Sequence, residues 1–379
     1  MATPLSPQDH CLKTDHRFIT VARICFVCIS LRAGGTERVV TRLANAFCQD
    51  HEVSIVIVQD GDSFYELDER VELHRFSGST SHLPKWRRAL SIMRHLSATI
   101  RSIQPDVTLS FGELVSPLAR VATIGSGTRF LIFNRESPLR SLNGRAGVIN
   151  PLTYPLADTV VTQTELAKNI LARRYRFTRF QVIPNPVEIP TSIAPIETRA
   201  RTIISVGYLG GQKNQQALLK AFAASCHRDQ WKLEIVGDGP DRPRLIEMSK
   251  DLSISDRVEF LGERKDVPER LADARIFAFT SLAEGFPNAL SEALAHGCAC
   301  IAFDCISGPS ELIQNDCNGL LLSPDDEDGY AAALETLMGD EELQQRYSAS
   351  ARVEIGRFSK SAIFQCFAEL ALDGAQGSR

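Results

Sequence analysis

Apolar residues run along this chain in short, nearly unbroken blocks, each closed by glycine, proline or polar residues. RICFVCISL is the first, and it gives way at Ala33-Gly34-Gly35-Thr36 to apolar positions spaced three and four apart (Val39, Val40, Leu43, Ala44, Phe47). A block that is apolar on both of its alternating sides predicts a strand covered on both faces, and the spacing after it predicts a helix lying on that strand. The alternation continues. HEVSIVIVQD and VELHRF predict strands, residues 84–103 a helix, then residues 105–111, RFLIFN, DTVVTQ and FQVIPNPV further strands. Residues 186–200 hold three prolines and little periodicity, which predicts a linker. Beyond it the scheme repeats. TIISVGYL, WKLEIVGDGP, RVEFLG, RIFAFTS, CACIAFD and NGLLLSP predict strands, and residues 214–224, 289–296, 330–338, 341–352 and 360–372 predict helices.

The pattern predicts an α/β protein of two Rossmann-like βα domains, residues 21–187 and 200–359, facing each other across a cleft. A last helix at about 360–373 is expected to return to the first domain, and residues 1–20 to form a loose tail. In open parallel sheets ligands sit outside the carboxyl ends of the strands. Functional residues should therefore follow strands and meet in the cleft.

Composition narrows the class. The 379 residues are 44% hydrophobic and 23% charged, which excludes disordered, collagen-like and coiled-coil chains. The best membrane-span candidate, residues 24–31, is far shorter than the ~20 residues a crossing needs, and the first twenty residues lack a signal peptide's apolar stretch. A cytoplasmic protein is expected. Its ten cysteines have no CxxC pairs at zinc spacing, and Cys25 and Cys28 should point to opposite faces of one strand, so buried free thiols are expected. Charge is uneven. Residues 1–190 carry 23 Lys/Arg against 17 Asp/Glu, and residues 191–379 carry 19 against 29. The basic half suggests a side that meets an anionic partner or surface.

Three strings carry candidate chemistry. The strongest is Glu284-Gly285-Phe286-Pro287-Asn288-Ala289-Leu290-Ser291-Glu292, in which a strand ends, a turn follows and a helix starts. The unpaired N–H groups of such a start form an anion site. Glu292 in the first turn or so can accept both hydroxyls of a ribose, and Glu284 could reach a sugar hydroxyl. Taken singly, each glutamate reads as a solvated loop or helix-dipole residue; the full string is what carries weight. The second is Gly207-Tyr208-Leu209-Gly210-Gly211-Gln212-Lys213-Asn214, which would set an ammonium beside two phosphates at another helix start. The third is Gly34-Gly35-Thr36-Glu37-Arg38, whose glycines let backbone approach a bulky ligand, or simply make a tight turn.

Together these strings resemble the family 4 retaining, nucleotide-sugar-dependent glycosyltransferases with the GT-B fold. Further matching residues are Asn134 to Pro138, Gln163-Thr164, Ile183-Pro184-Asn185-Pro186, Val236-Gly237-Asp238-Gly239-Pro240, Phe260-Leu261-Gly262 and Gly308 to Glu311 with Asn318-Gly319. The most specific is Glu, seven residues, Glu. The resemblance implies that Lys213 binds the diphosphate, Glu284 the donor sugar and Glu292 the ribose. It further implies that backbone N–H groups of Phe286, Pro287's neighbour Asn288 and Ala289 hold sugar and phosphates, with Leu290 following in the same string. Gly35, beside Gly34, would sit against the phosphates from the other domain, and Gly207, Asn214 and Gly237 would shape the donor side. The base would lie at the loop holding Arg264. No cofactor or metal is implied, the nucleotide sugar being a co-substrate.

The chain departs from the family in two places that matter: at Tyr208, and at Phe133 to Pro138, where many relatives carry a histidine after a first-domain strand. Tyr208 stands where the family commonly has Arg, so one positive contact is missing; Arg135 or Arg38 are the candidates to supply it from the other domain. Arg135 itself resembles the subset with Arg near the anomeric centre, and no enzyme nucleophile is implied. The expected partners are a nucleoside diphosphate sugar, most readily UDP-linked, and a saccharide or lipid-linked acceptor, with no nucleic acid.

Other readings remain. A nucleotide-sugar epimerase or phosphorylase, or a non-catalytic binding protein, would use the same fold. Gln59-Asp60-Gly61-Asp62 after a strand resembles a metal-binding Asp-x-Asp, but would leave the Glu284–Glu292 string unexplained. His296 reads as a histidine at a helix C-terminus. Residues 84–103 predict an amphipathic helix with Trp86, Leu90, Met93, Leu96, Ile100 and Ile103 on one face and Arg87, Arg88, Arg94, His95 and Arg101 on the other. Core packing explains that stripe; contact with an anionic membrane at its inner face is the functional alternative.

Overall fold

Two sheets, every strand parallel to its neighbours, divide the chain. A computed structural model describes residues 21–32, 34–59, 61, 63–76 and 84–372. The expected tail at 1–20 with Cys11, the last seven residues, and both Asp60 and Asp62 of the Asp-x-Asp string lie outside the described residues. The first sheet holds β1 (Arg23–Cys28), β2 (Glu52–Ile57), β3 (Glu72–Arg75), β4 (Val107–Phe111), β5 (Arg129–Phe133), β6 (Thr159–Thr162) and β7 (Phe180–Val182), in the order β3-β2-β1-β4-β5-β6-β7. The second holds β8 (Ala200–Val206), β9 (Lys232–Val236), β10 (Val258–Gly262), β11 (Ala274–Phe279), β12 (Ala299–Phe303) and β13 (Leu320–Leu322), in the order β10-β9-β8-β11-β12-β13. The strand order reverses between β1 and β4 in one sheet and between β8 and β11 in the other. These are the switch points at which doubly wound sheets open a crevice.

Helices cover both faces of each sheet because the strands are apolar on both. Cys25 packs on one side of β1 with Val27 and Cys28 on the other with Phe26, so the two thiols do face apart. Burial pushes the Cys25 thiol up to about 12, which makes it an inert packing group. The last helix, Lys360–Leu372, buries Ile363, Phe367 and Leu370 in the core of the first sheet. Phe26, Phe111, Phe133 and Phe367 form a continuous series of rings, with Phe111–Phe133 centroids 4.5 Å apart and Phe133–Phe367 5.3 Å. Each such pair adds about 0.5–1.5 kcal/mol beyond its buried area. The chain thus crosses between domains twice, and the crossings touch: Val187 N–H donates to Phe358 O at 2.8 Å.

The helix Lys85–Ile103 differs from its predicted stripe. Ile92, Leu96 and Ile100 are the apolar residues it buries, and Trp86 stands 64% exposed. His95, assigned to the polar face, is half-buried with its ring 5.4 Å from Phe76, and burial lowers its pKa. Shorter helices at Ser116–Ala122, Pro138–Leu142 and Gly144–Thr153 had no counterpart in the sequence pattern. Among the described residues no helix is long and apolar enough to cross a membrane.

Candidate active site

The loops after β8 and β11 build one wall of the cleft. Leaving β8, the chain turns at Gly207 and reaches a single 3-10 turn, Gly211–Lys213, closed by Lys213 N–H donating to Gly210 O at 2.8 Å. Asn214 then takes a left-handed conformation (φ 50°), which Asn tolerates better than most residues, and the helix Gln215–Ala224 begins. Because β8 and β11 are neighbours, their loops are stitched together. Thr280 Oγ1 donates to Lys213 O at 3.0 Å and Leu282 N–H to Gln212 O at 2.9 Å. This aims the Lys213 ammonium at Glu284, where Nζ donates to Oε1 at 2.5 Å.

After β11 the turn Gly285-Phe286-Pro287 feeds the helix Asn288–Ala295. No side chain caps its start, so its positive end is left to the cleft. Phe286 is buried in the second domain's core and anchors the turn. Glu292, one turn in, is held by a residue of the other domain: Arg38 Nη2 lies 2.5 Å from Glu292 Oε1. His296 ends this helix with Nδ1 2.8 Å from Glu292 O, as its position suggested, and also lines the cleft.

The opposite wall comes from the first domain. A cavity of about 1000 Å³ lies between them, the upper end of the range for small-molecule sites. It is lined by Arg38, Arg42, Tyr65 and Glu188 on one side and by Gly207, Lys213, Arg264, Glu284, Phe286, Pro287, Asn288, Ala289 and Glu292 on the other. Gly35 faces the start of the site helix, its absent Cβ 3.3 Å from Asn288 Nδ2, while Gly34 O accepts from Tyr65 Oη at 3.1 Å. The domains also meet at Gly285. A Cβ there would lie 2.6 Å from Arg135 O, so only glycine lets the turn pass the first domain's backbone. Asn185 Nδ2 donates to Asn288 Oδ1 at 2.7 Å, and Thr164 and Ser307 share a buried hydrogen bond of 2.8 Å.

Other expected residues stand apart from this cavity or at its rim. Tyr208 is 62% exposed, its ring beside Gly210 and outside the cavity lining. Leu290 is fully buried core, and Asn214 faces a separate small cavity beside Gln215 and Arg244. Gly237 supports the strand ends, because a Cβ there would overlap the backbone of Gly207. Arg264 is at the rim, its guanidinium held by both oxygens of Asp266 at 2.7 and 2.8 Å. Arg135 lies at the contact with Gly285, but its guanidinium is turned inward over the Phe111 ring, 5.8 Å from the centroid. Both terminal nitrogens are enclosed without a hydrogen-bond partner, and burial pushes its pKa down to about 9. An orphaned buried cation is costly.

Sequence reasoning missed a buried cluster in the first domain. Glu113 Oε1 is within 2.8 Å of Asn134 Nδ2 and 3.2 Å of both Asn150 Nδ2 and Tyr154 Oη. Burial raises the Glu113 pKa, and hydrogen bonding to Ser141, Asn150 and Tyr154 opposes the shift. The available signal was a polar residue within two positions of the end of each of two buried strands. Arg42, Tyr65 and Lys265 line the cleft without any local sequence signal.

Comparison with known proteins agrees with the architecture. A model of Glycosyltransferase Family 4 matches residues 33–189, and one of Glycosyl transferases group 1 matches residues 191–354. A Campylobacter jejuni GalNAc-alpha-(1->4)-GalNAc-alpha-(1->3)-diNAcBac-PP-undecaprenol alpha-1,4-N-acetyl-D-galactosaminyltransferase is 29% identical over 353 residues, covering 90% of this chain and 96% of that one. The lipopolysaccharide 1,6-galactosyltransferase of Escherichia coli is 29% identical over 323 residues, covering 81% and 86%. Among solved structures, the apo lipopolysaccharide outer core galactosyltransferase WaaB superposes with a TM-score of 0.75 at 24% identity, covering 92% of this chain and 99% of that one. Anabaena HepE in complex with UDP and glucose superposes with a TM-score of 0.79 at 20% identity, covering 93% and 100%.

Proposed function

The chain belongs to the family 4 glycosyltransferases of GT-B fold, and from that premise we propose that it takes a sugar from a nucleoside diphosphate sugar, UDP-linked, and transfers it with retention to a saccharide or lipid-linked acceptor in surface-glycan assembly. The observation that carries this reading is the shared wall on which Lys213, Glu284, Glu292 and the uncapped start of Asn288–Ala295 converge.

Each carboxylate of that wall touches a cation: Glu284 touches Lys213 and Glu292 touches Arg38. A diphosphate arriving in the cleft competes for the cations. It releases Glu284 to accept from hydroxyls of the donor sugar and Glu292 from those of the ribose. The exchange softens the desolvation cost that an isolated buried charge would carry. In the transfer step the bond from the anomeric carbon to the diphosphate oxygen breaks, and negative charge grows on the leaving group. Lys213 and the main-chain N–H at Ala289 offset that charge. The acceptor oxygen bonds to the same face of the anomeric carbon, and its proton passes to an oxygen of the departing phosphate. No enzyme nucleophile takes part. Protein groups offset the charge throughout, so the transfer runs without a bound metal, and EDTA should leave the rate unchanged.

The Campylobacter jejuni relative is named for a glycan on PP-undecaprenol and the Escherichia coli relative for lipopolysaccharide, which supports a lipid-linked acceptor. A panel of nucleotide sugars scored by thermal shift tests the donor. The right one, at 100 times its Kd, should stabilise the protein by about 2.7 kcal/mol. Donor consumption should then depend on added acceptor. Turnover of the donor sugar with no acceptor would favour an epimerase instead, and failure of every UDP and GDP sugar to bind would end the proposal.

A further inference from the structure

Of the sixteen exposed large hydrophobic side chains among the described residues, Phe64 alone lines the cleft. Its ring is 57% exposed, yet its loop is tied down. Phe64 N–H donates to Leu31 O at 2.9 Å, and Ser63 Oγ donates to Tyr65 O at 2.6 Å. Tyr65 Oη donates to Gly34 O at 3.1 Å, and the Tyr65 ring stands edge-on to Phe64 with centroids 5.1 Å apart. Asn45, on the helix Gly35–Phe47, secures the residues that follow. Its Nδ2 donates to Glu66 O at 3.0 Å, and its Oδ1 accepts from Asp68 N–H at 2.9 Å. A scattered surface phenylalanine needs no explanation; one fixed over a cavity by its own loop is preorganised to meet a ligand.

The place of this ring in the cleft selects which part of a ligand it meets. On the second-domain wall the lining passes from Lys213 and Glu284, by Glu292, to Arg264, Val267 and Pro268. With the donor proposed above, that order is sugar and diphosphate, then ribose, then base. The first domain answers with the helix Gly35–Phe47 and the loop after β2. Arg38 reaches Glu292, and Arg42, one turn further, reaches Glu188 at 3.1 Å, so the helix runs from the ribose position towards the linker. Among the described residues the loops after β4, β5 and β6 add nothing to the lining. Phe64 therefore faces the nucleoside half of the cavity. That half has aliphatic walls in Val267, Pro268 and Leu271. The Phe rings that the second domain adds to the lining are at the other end: Phe279 lies 5.9 Å from Lys213 Nζ, and Phe286 is two residues past Glu284. A planar base held there by aliphatic groups has one face left for an aromatic partner.

We propose that Phe64 is the first domain's half of a nucleobase clamp: its ring stacks on one face of the base of the nucleoside diphosphate, while Val267 and Pro268 hold the other. The inference rests on the nucleoside diphosphate sugar proposed above and adds a donor-binding residue from the domain opposite the diphosphate wall. Every base presents a π-face, so Phe64 supplies affinity and position, and the choice among bases falls to the hydrogen-bonding groups around it. Affinity gained at the base offsets the positive contact that Tyr208 does not make.

Calorimetric titration of UDP into the full chain and its F64A variant tests it, with inhibition by inorganic pyrophosphate as the comparison. F64A should weaken UDP about ten- to a hundredfold, the range expected for one lost base–aromatic stack, and leave pyrophosphate inhibition and the melting temperature as in the parent. In the transfer assay its donor KM should rise by a similar factor, while kcat and the acceptor KM move far less. F64W keeps a stacking surface. It should hold UDP nearly as well as the parent, and the emission it adds to that of Trp86 and Trp231 should be quenched by UDP but not by pyrophosphate. Unchanged UDP affinity in F64A, an equal loss for pyrophosphate, or a raised acceptor KM beside an unchanged donor KM would each overturn the proposal, the last by giving the ring to the acceptor. A parent that binds neither UDP nor a UDP sugar would end the donor reading with it, whereas UDP binding that F64A leaves intact would end this inference alone.

Discussion

Glu113 and Glu284 occupy corresponding places in the two domains. Each follows the strand just past the switch point of its sheet, β4 in one and β11 in the other. The first is surrounded by neutral donors, Asn134, Asn150 and Tyr154, and is sealed from the cleft; the second faces the cleft and touches an ammonium. One strand order therefore yields a closed polar plug in the first domain and an open charged wall in the second. Topology marks where a site can form, while the loop residues decide whether one does. The closed plug still has a task, because it fixes the loop at Asn134 to Glu136 against which Gly285 rests.

The sharpest way to break this contrast is to strip the open wall. Lys213→Ala should cut turnover by about 10²–10³-fold, the usual loss of one group that stabilises developing negative charge, with stability near that of the parent. Turnover within threefold of the parent would remove Lys213 from the chemistry. Glu292→Ala comes next. Loss of charged hydrogen bonds to the ribose, each worth about 1.5–3 kcal/mol, should raise the donor KM ten- to a hundredfold and change kcat far less. An unchanged KM would mean that Glu292 serves only Arg38.

The closed side should respond in stability instead. Asn134→Ala leaves the buried oxygens of Glu113, Ser141 and Tyr154 short of a partner, which should cost about 1–3 kcal/mol in a urea titration while donor KM stays put. The smallest effect is one of pH. Because the folded-state pKa of Glu113 is raised, the folded protein holds its proton more tightly than the unfolded chain. Stability should then decline as pH rises from the ordinary carboxyl range through the folded pKa. Glu113→Gln keeps an acceptor oxygen and removes that slope, so its advantage over the parent should widen towards neutral pH. Parallel stability curves for the two proteins would count against the raised pKa.

Much of the fold was legible because parallel strands buried on both faces leave uninterrupted apolar blocks, and the strings at Gly207–Lys213 and Glu284–Glu292 stood out as strand ends running into helix starts. What escaped was non-local or inverted. Nothing near Arg38 announces Glu292, 254 positions away. The helix Gly144–Thr153 was invisible to a reading of apolar periodicity, since its apolar residues point outward and a proline lies inside it. Trp86 was drawn into a core stripe by its spacing alone, whereas the helix had rotated to bury Ile92. Tyr208 carried the plainest warning in the sequence, and its place outside the cavity lining leaves the positive contact to other residues.

The touch between the two interdomain crossings has a mechanical consequence. One connecting segment alone would act as a universal joint. Two segments bonded side by side at Val187 and Phe358 behave as a door hinge, which permits swing about one line and resists twist and slide. Gating of the donor wall against the glycine loop is then a one-parameter motion, set by a pivot that lies outside the chemistry.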